Sequence, residues 1–179
     1  MKAPALWCAF AQWEERWCAA SNRWCQRGRA RPFFATISRL GDGLFWYLLM
    51  LAVVLADGVR GLQASVHMAA TGFAALLLYR GLKRWTRRAR PCASSTQIRA
   101  LVAPLDEFSF PSGHTLHASA FTLVALWHYP SLALLLLPFT ALVGASRVVL
   151  GLHYPSDVLA ALVIGNGIGL ASLAIAGSI

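Results

Sequence analysis

Past residue 40 the chain alternates between long apolar runs and short polar or turn-forming breaks. Five runs stand out, at residues 44–57, 62–79, 115–129, 131–149 and 158–175. A helix needs about 20 residues to cross roughly 30 Å of hydrocarbon. The first and third runs are short for this, and Phe33 to Leu40 and Gly113 are the flanks that extend them. Gly58 to Gly61 and Tyr129-Pro130 are turn signals between neighbouring runs. The pattern predicts an all-α, polytopic membrane bundle of about five transmembrane helices, with the embedded domain over residues 41–179.

The first 40 residues follow a different pattern. Over residues 5–27, Leu6, Phe10, Trp13, Trp17, Ala20 and Trp24 fall on one face at helical spacing. Gln12, Glu15, Arg16, Asn22, Arg23 and Gln26 lie away from it. Tryptophan favours the membrane–water boundary, so this segment predicts an amphipathic helix lying on the membrane. The alternative is a helix packed against the rest of the protein. Arg27, Arg29, Arg31 and Pro32 close it and make residues 1–40 a basic interfacial segment. It does not read as a cleavable signal peptide, because Glu14, Glu15, Arg16 and Arg23 interrupt the region that would have to be apolar.

Composition agrees with lipid as the solvent. The 179 residues are 58% hydrophobic and 13% charged, where a soluble domain is about a quarter charged. The net charge is +9. The basic residues flank apolar runs instead of covering a soluble face, which argues against nucleic acid as partner. Cys8, Cys18, Cys25 and Cys92 form no CxxC pair and no zinc-like cluster. They read as free thiols.

If all five runs cross, the N-terminal segment, the 80–112 connection and the 146–157 region share one side. The turns at Gly58 and Pro130 and the C-terminus share the other. Three chemically capable clusters fall together on the first side: Lys83 with Arg90-Pro91, then Pro111-Ser112-Gly113-His114, then Ser146-Arg147 with His153 and Asp157. This set meets the needs of phosphoryl transfer. Arg90 and Arg147 offer guanidinium forks and Lys83 a point charge. Ser112 and Gly113 stand at a helix start, where free N–H groups and the positive dipole end favour an anion. His153 and His114 are available as nucleophile and leaving-group acid. Asp157, four residues beyond His153, can accept the proton of one imidazole nitrogen and present the other. Alone, each residue reads as a snorkelling flank, a turn or a helix cap. Together, in order and on one side, they read as a site.

The pattern K-x6-R-P, PSGH, SR-x5-H-x3-D resembles the three-part signature of the type 2 phosphatidic acid phosphatase superfamily, and every fixed position is present. The flanks FSFPSGHT and GLHYPSDVLA resemble its bacterial membrane branch. The resemblance covers residues 83–157 directly and, through the run pattern, about 40–178. It implies that His153 attacks phosphorus and becomes a phosphohistidine. His114 would protonate the leaving oxygen and then activate water, and Asp157 would orient His153. Lys83, Arg90, Ser112, Gly113 and Arg147 would hold the phosphate oxygens. It implies no metal and no cofactor, and the fixed positions supply no carboxylate cage for magnesium. Membrane members commonly have six spans; here the N-terminal helix stands in for the first.

The partners implied are a phosphorylated lipid and the bilayer. Undecaprenyl diphosphate, phosphatidylglycerophosphate, phosphatidic acid and lipid A all fit. A lipid phosphotransferase and a non-catalytic membrane protein are the competing readings. A vanadium haloperoxidase is disfavoured, because those enzymes are soluble and much larger. Location in a bacterial inner membrane follows from the resemblance, which also puts the site on the periplasmic face. The positive-inside count points the other way, because Arg60 alone among the 16 Lys and Arg falls opposite the motifs. Among the remaining residues, His67 and His128 read as structural or interfacial, and His117 as a candidate for the pocket wall. Asp106 and Glu107 read as a solvated loop, Asp57 with Arg60 as a local pair, and Gly165, Gly167 and Gly169 as a close-packing face.

Overall fold

The computed structural model describes residues 5–177, with side chains from residue 8 onward, so Leu6 lies outside the described side chains. Among the described residues there is helix and no strand. The helices are α1 (Ala5–Cys25), α2 (Ala30–Arg39), α3 (Phe45–Thr86), the single turn α4 (Pro91–Ser94), α5 (Gly113–His128), α6 (Ala133–Val149) and α7 (Pro155–Gly177). A π-helical turn, Leu40–Leu44, joins α2 to α3.

Helix α3 is two antiparallel legs, not one rod. Gly58 has φ 55° and ψ −119°, which a glycine adopts without a Cβ penalty. Beyond it the chain doubles back, and Ser65 Oγ donates to the Met50 carbonyl at 3.0 Å. In a straight helix those residues would stand about 22 Å apart. The turn expected at Gly58 to Gly61 is thus formed. Gly61 has no room for a side chain, because an added Cβ would strike the Val53 carbonyl on the opposing leg. The flank Phe33 to Leu40 is helical, in α2 and the start of the π-helical turn, but a kink at Gly43, with φ 134°, separates it from the first leg.

Three helical runs are long and apolar enough to cross a membrane: Ala30–Ser94, Pro130–Val149 and Pro155–Gly177. The first, doubled at Gly58, supplies two legs. Helix α5 has 16 residues and reaches only about 24 Å. It sits at the centre, packed against α3, α6 and α7, with Leu116, Ala118, Ala120 and Val124 fully buried. Around it Trp46, Met68, Leu136, Phe139 and Val143 form the main core. Outward-facing positions are apolar as well, among them Leu55, Leu134, Leu159 and Val163. A bundle that is apolar on both its inner and outer faces is built for lipid.

Helix α1 turns its aromatic face outward, with Phe10, Trp13, Trp17 and Trp24 all exposed. These are the aromatic residues that helical spacing put on one face. Its inner face carries Glu14, Cys18, Asn22 and Cys25, all buried. Asn22, placed away from the aromatic face in the sequence, is fully committed. It donates to the carbonyls of Arg99 and Val149 and accepts from the Arg99 N–H, each at 3.0 Å. The helix therefore packs against the rest of the protein, the alternative given from sequence, on the loops that carry the motifs, and keeps its aromatic face exposed.

The glycines of α7 divide. An added Cβ at Gly165 would come within 2.5 Å of the Leu116 carbonyl, and one at Gly169 within 2.7 Å of Leu123 Cδ2, whereas Gly167 faces open space. Gly165→Val should therefore destabilise the α5–α7 contact by about 1–3 kcal/mol, and Gly167→Ala should leave it unchanged. Thermal unfolding of the detergent-solubilised protein, followed through the accessibility of the buried cysteines, measures both. Equal midpoints for the two variants would contradict this packing.

Candidate functional site

The site lies at the end of the bundle where α5 and α7 begin and α6 and the second leg of α3 end. The turn between α6 and α7 fixes its central element. Helix α6 closes with Gly151 in the left-handed region at φ 77°. The Gly151 N–H bonds the Val148 carbonyl at 2.9 Å, and the Leu152 N–H bonds the Arg147 carbonyl at 3.1 Å. This is a Schellman cap. The His153 N–H also bonds the Arg147 carbonyl at 3.1 Å. The spacing from Arg147 to His153 is thus a helix end plus its cap, and one carbonyl ties the two residues together.

Asp157 is the third residue of α7. Its Oδ2 accepts from the Tyr154 N–H at 2.9 Å, half of a capping box at the helix start. The same oxygen stands 3.7 Å from His153 Nδ1, beyond hydrogen-bond range. Nδ1 is buried and makes no hydrogen bond of ordinary geometry. The other ring nitrogen, Nε2, is 3.2 Å from Arg90 Nη1. A guanidinium can only donate, so Nε2 is the acceptor and carries the lone pair, and Nδ1 carries the proton on the Asp157 side. Burial, followed by the charges of Arg147, Arg90 and Lys83, holds the His153 imidazole well below its ordinary value and therefore neutral.

A cavity of about 800 Å³ opens in front of His153. Six of the eight residues singled out from sequence line it: Lys83, Arg90, Gly113, His114, Arg147 and His153. Asp157 lies behind His153. Ser112 is fully buried as the residue before α5, with its hydroxyl 2.9 Å from that of Thr115 and its N–H on the Asp157 carbonyl. His117 joins the wall, with its ring nitrogens near the carbonyls of Gly113 and Gly72. His67 and His128 pair with each other at 3.2 Å at the far end, beside Ser172. Asp57 and Arg60 form the expected local pair at 4.0 Å. No cluster of three or more His, Cys, Asp or Glu able to hold a metal ion occurs among the described residues.

Four polar residues at the site were not found from sequence, or were found and misread. Asp106, read as a solvated loop residue, places its carboxylate between two cations. Its Oδ1 lies 2.6 Å from Lys83 Nζ and 2.7 Å from Arg90 Nη2. Burial raises its pKa, but the hydrogen bonds and charges of Lys83 and Arg90 outweigh this and hold the carboxyl below its ordinary value. Lys83 also donates to the Phe108 carbonyl. Arg90 spends its remaining donors on the carbonyls of Asp106 and Leu152 and on His153. Most donors of Lys83 and Arg90 are therefore already engaged within the protein. Asp42, in the π-helical turn, contacts His114 Nε2. The available signal was an acidic residue between two glycines just ahead of the first apolar run, close to the membrane, where an unpaired charge is costly. Glu14 and Arg88 complete the list. Glu14 entered the sequence reading only as a charge that argues against a signal peptide, and Arg88 was not singled out; Glu14 is buried and Arg88 is two-thirds buried against it.

The cavity has two characters. One end is cationic, with Arg147 donating to Ser38 and leaving its buried Nε unpaired. The other runs between the legs of α3, past Trp46, Tyr47, Met50, Phe73, Leu76 and Phe121. An anionic group and an apolar chain can be held at once.

Comparison with known proteins agrees with this arrangement. Residues 61–178 match the PAP2 superfamily. The chain is 31% identical over 122 residues to the undecaprenyl-diphosphatase BcrC of Bacillus subtilis, covering 68% of this chain and 63% of that one. It is 32% identical over 153 residues to phosphatidylglycerophosphatase B of the same organism, covering 70% and 59%. It therefore spans about three-fifths of the length of these relatives. Among solved structures, Aquifex aeolicus LpxE superposes with a TM-score of 0.74 at 25% identity, over 87% of this chain and 92% of that one. The transmembrane PAP2 type phosphatidylglycerolphosphate phosphatase of Bacillus subtilis shares the fold, with a TM-score of 0.73 at 24% identity, over 96% and 88%. The helical bundle, the three motifs at its one end and a family match that spans all of them give one conclusion: the chain belongs to the PAP2 superfamily.

Proposed function

We propose that the protein is a membrane lipid phosphatase that works through a phosphohistidine on His153, without a metal ion. The observation that carries this reading is His153 in the wall of a cavity that is cationic at one end and apolar along its flank, with Nε2 unprotonated and accepting from Arg90, a hydrogen bond that opens when Nε2 attacks. The phosphate of a lipid phosphomonoester or diphosphate sits among Lys83, Arg90, Arg147 and the N-terminus of α5 at Gly113. The apolar chain lies between the legs of α3. His153 Nε2 attacks phosphorus, and the bond to the leaving oxygen breaks as His114 gives that oxygen a proton. Water then loses a proton to His114 and attacks phosphorus. The P–N bond breaks and its electron pair returns to Nε2. Asp157 accepts a hydrogen bond from Nδ1–H while the ring is cationic.

His153→Ala should abolish turnover. His114→Ala should lower it severely while sparing substrates with good leaving groups. Label from a radioactive phosphate donor, quenched during turnover, should be base-stable, acid-labile and located on His153. Label on a serine or an aspartate would refute the mechanism.

The carboxylate of Asp106 occupies the donors of Lys83 and Arg90 that a phosphate would use. Asp106→Asn should therefore tighten inhibition by vanadate, a mimic of the pentacoordinate phosphorus, because the ion no longer displaces a charge. Activity of the wild-type protein should persist in EDTA. Weaker vanadate binding in the variant would speak against the competing role of Asp106, and loss of activity in EDTA with recovery in magnesium against metal independence.

We further propose that the site faces the periplasm from a bacterial inner membrane. Lys83, Arg90 and Arg147 are accounted for by phosphate and carry no topological weight. The exposed arginines at 23, 27, 29 and 31 suit anionic head groups of either leaflet. Helix α7 runs from the site to the opposite end, so alkaline phosphatase fused after Ile179 should be inactive. An active fusion would place the site in the cytoplasm.

A further inference from the structure

Helix α1 sends one buried carboxylate toward the nucleophile. Glu14 is 1% exposed and uses both oxygens. Oε1 accepts the Ser156 N–H in the first turn of α7 at 2.8 Å, and Oε2 lies 2.8 Å from Arg88 Nη2. Arg88 continues the line. Its Nη1 bonds Asp157 Oδ1 and the Ser156 hydroxyl, each at 2.7 Å, and its guanidinium stacks over the Tyr154 ring at 4.2 Å. Asp157 presents its other oxygen to His153 Nδ1.

We propose that Glu14 is a positioning residue for the phosphatase reaction, acting through Arg88 on Asp157 and so on His153. The inference rests on the phosphohistidine reading above. Two physical effects support it. The first is geometric. Arg88 is about one-third exposed on its side chain, and a guanidinium held by Asp157 alone could swing toward solvent or lipid head groups. Glu14 on one side and the Tyr154 ring on its face fix the plane that aims Nη1 at Asp157. The second is electrostatic. His153 becomes cationic when Nε2 bonds phosphorus, and the group behind it must then be net negative. Asp157 with Arg88 alone sums to zero. With Glu14 the trio sums to −1, in a desolvated setting where one charge weighs heavily. Neither Glu14 nor Arg88 lines the cavity, so their influence falls on the chemical step and not on phosphate binding.

The test uses the full chain in detergent or vesicles. Glu14→Gln keeps the volume and an oxygen for Ser156 while removing the charge. It should lower kcat roughly ten- to hundredfold, the usual weight of one charge-assisted hydrogen bond, with KM and vanadate inhibition within about twofold of wild type. Unchanged vanadate binding also reports that the variant is folded. Arg88→Lys should fall between wild type and Arg88→Ala. In an Asp157→Asn background, Glu14→Gln should have no further effect on phosphohistidine formation in a single turnover, because the two act in series. Wild-type kcat in Glu14→Gln would overturn the proposal, as would a loss confined to KM and vanadate, or an equal loss with and without Asp157. If His153→Ala remains active, the phosphohistidine reading itself fails. If His153→Ala is dead and Glu14→Gln is silent, only the present inference fails.

Discussion

Three like charges in one partly desolvated cavity are the constraint around which the structure is organised. Lys83, Arg90 and Arg147 are each buried, and burying cations without partners is costly. The compensation comes from elements far apart in sequence. Asp106 from the long connection bridges two of the cations, and carbonyls of Asp106, Phe108 and Leu152 take further donors. Arg147 receives Ser38 from α2. The convergence of α2, the second leg of α3, the 87–112 connection and the α6–α7 turn on one end follows from satisfying these donors. Under the proposed function the same donors become the cradle of the phosphate, so that stability of the empty site and affinity for the anion would be two uses of one set of hydrogen bonds.

The membrane fold was largely legible because its signals are local. Apolar runs of helical length, Gly58 and Pro130 between them, and the flank Phe33 to Leu40 can each be read without knowing what packs where. That the motif residues come together at one end was legible for another reason: residue type and spacing carry it. The structure gives that spacing a backbone cause, since a helix end with its cap separates Arg147 from His153, and the first turn of α7 separates His153 from Asp157.

What escaped the sequence reading was pairing over long distances. Glu14 and Arg88 lie 74 positions apart, and His114 and Asp42 lie 72 apart. Nothing in the neighbourhood of any one of them announces the partner. The hydrophobic pattern even misled, because α1 was read by its tryptophans. Its buried face is marked instead by a carboxylate, an amide and two thiols, groups that periodicity scores as polar or neutral. Its small buried side chains, Cys18, Ala19 and Cys25, pack on Ile98, Leu101, Leu150 and Leu152 beside the polar contacts of Glu14 and Asn22, and its aromatic side is left outside.

The Schellman cap at Gly151 bears on how this chain can vary in length. Every residue from Arg147 to His153 is committed either to the last turn of α6 or to the reversal that follows it, and Gly151 lies so close to the Arg99 carbonyl that even a Cβ would meet it at 2.6 Å. The segment has no slack. One inserted residue would carry the imidazole about 3 Å along the chain, enough to take it away from Arg90 and Asp157. The connection between Ser94 and Phe110 is irregular over most of its length; it is anchored around Ile98–Leu101 and Asp106–Ser109, and the stretch 103–105 between those anchors is exposed. Insertions and deletions acceptable to this protein are therefore concentrated in that connection, and the short α6–α7 turn is where the length of the chain is held constant.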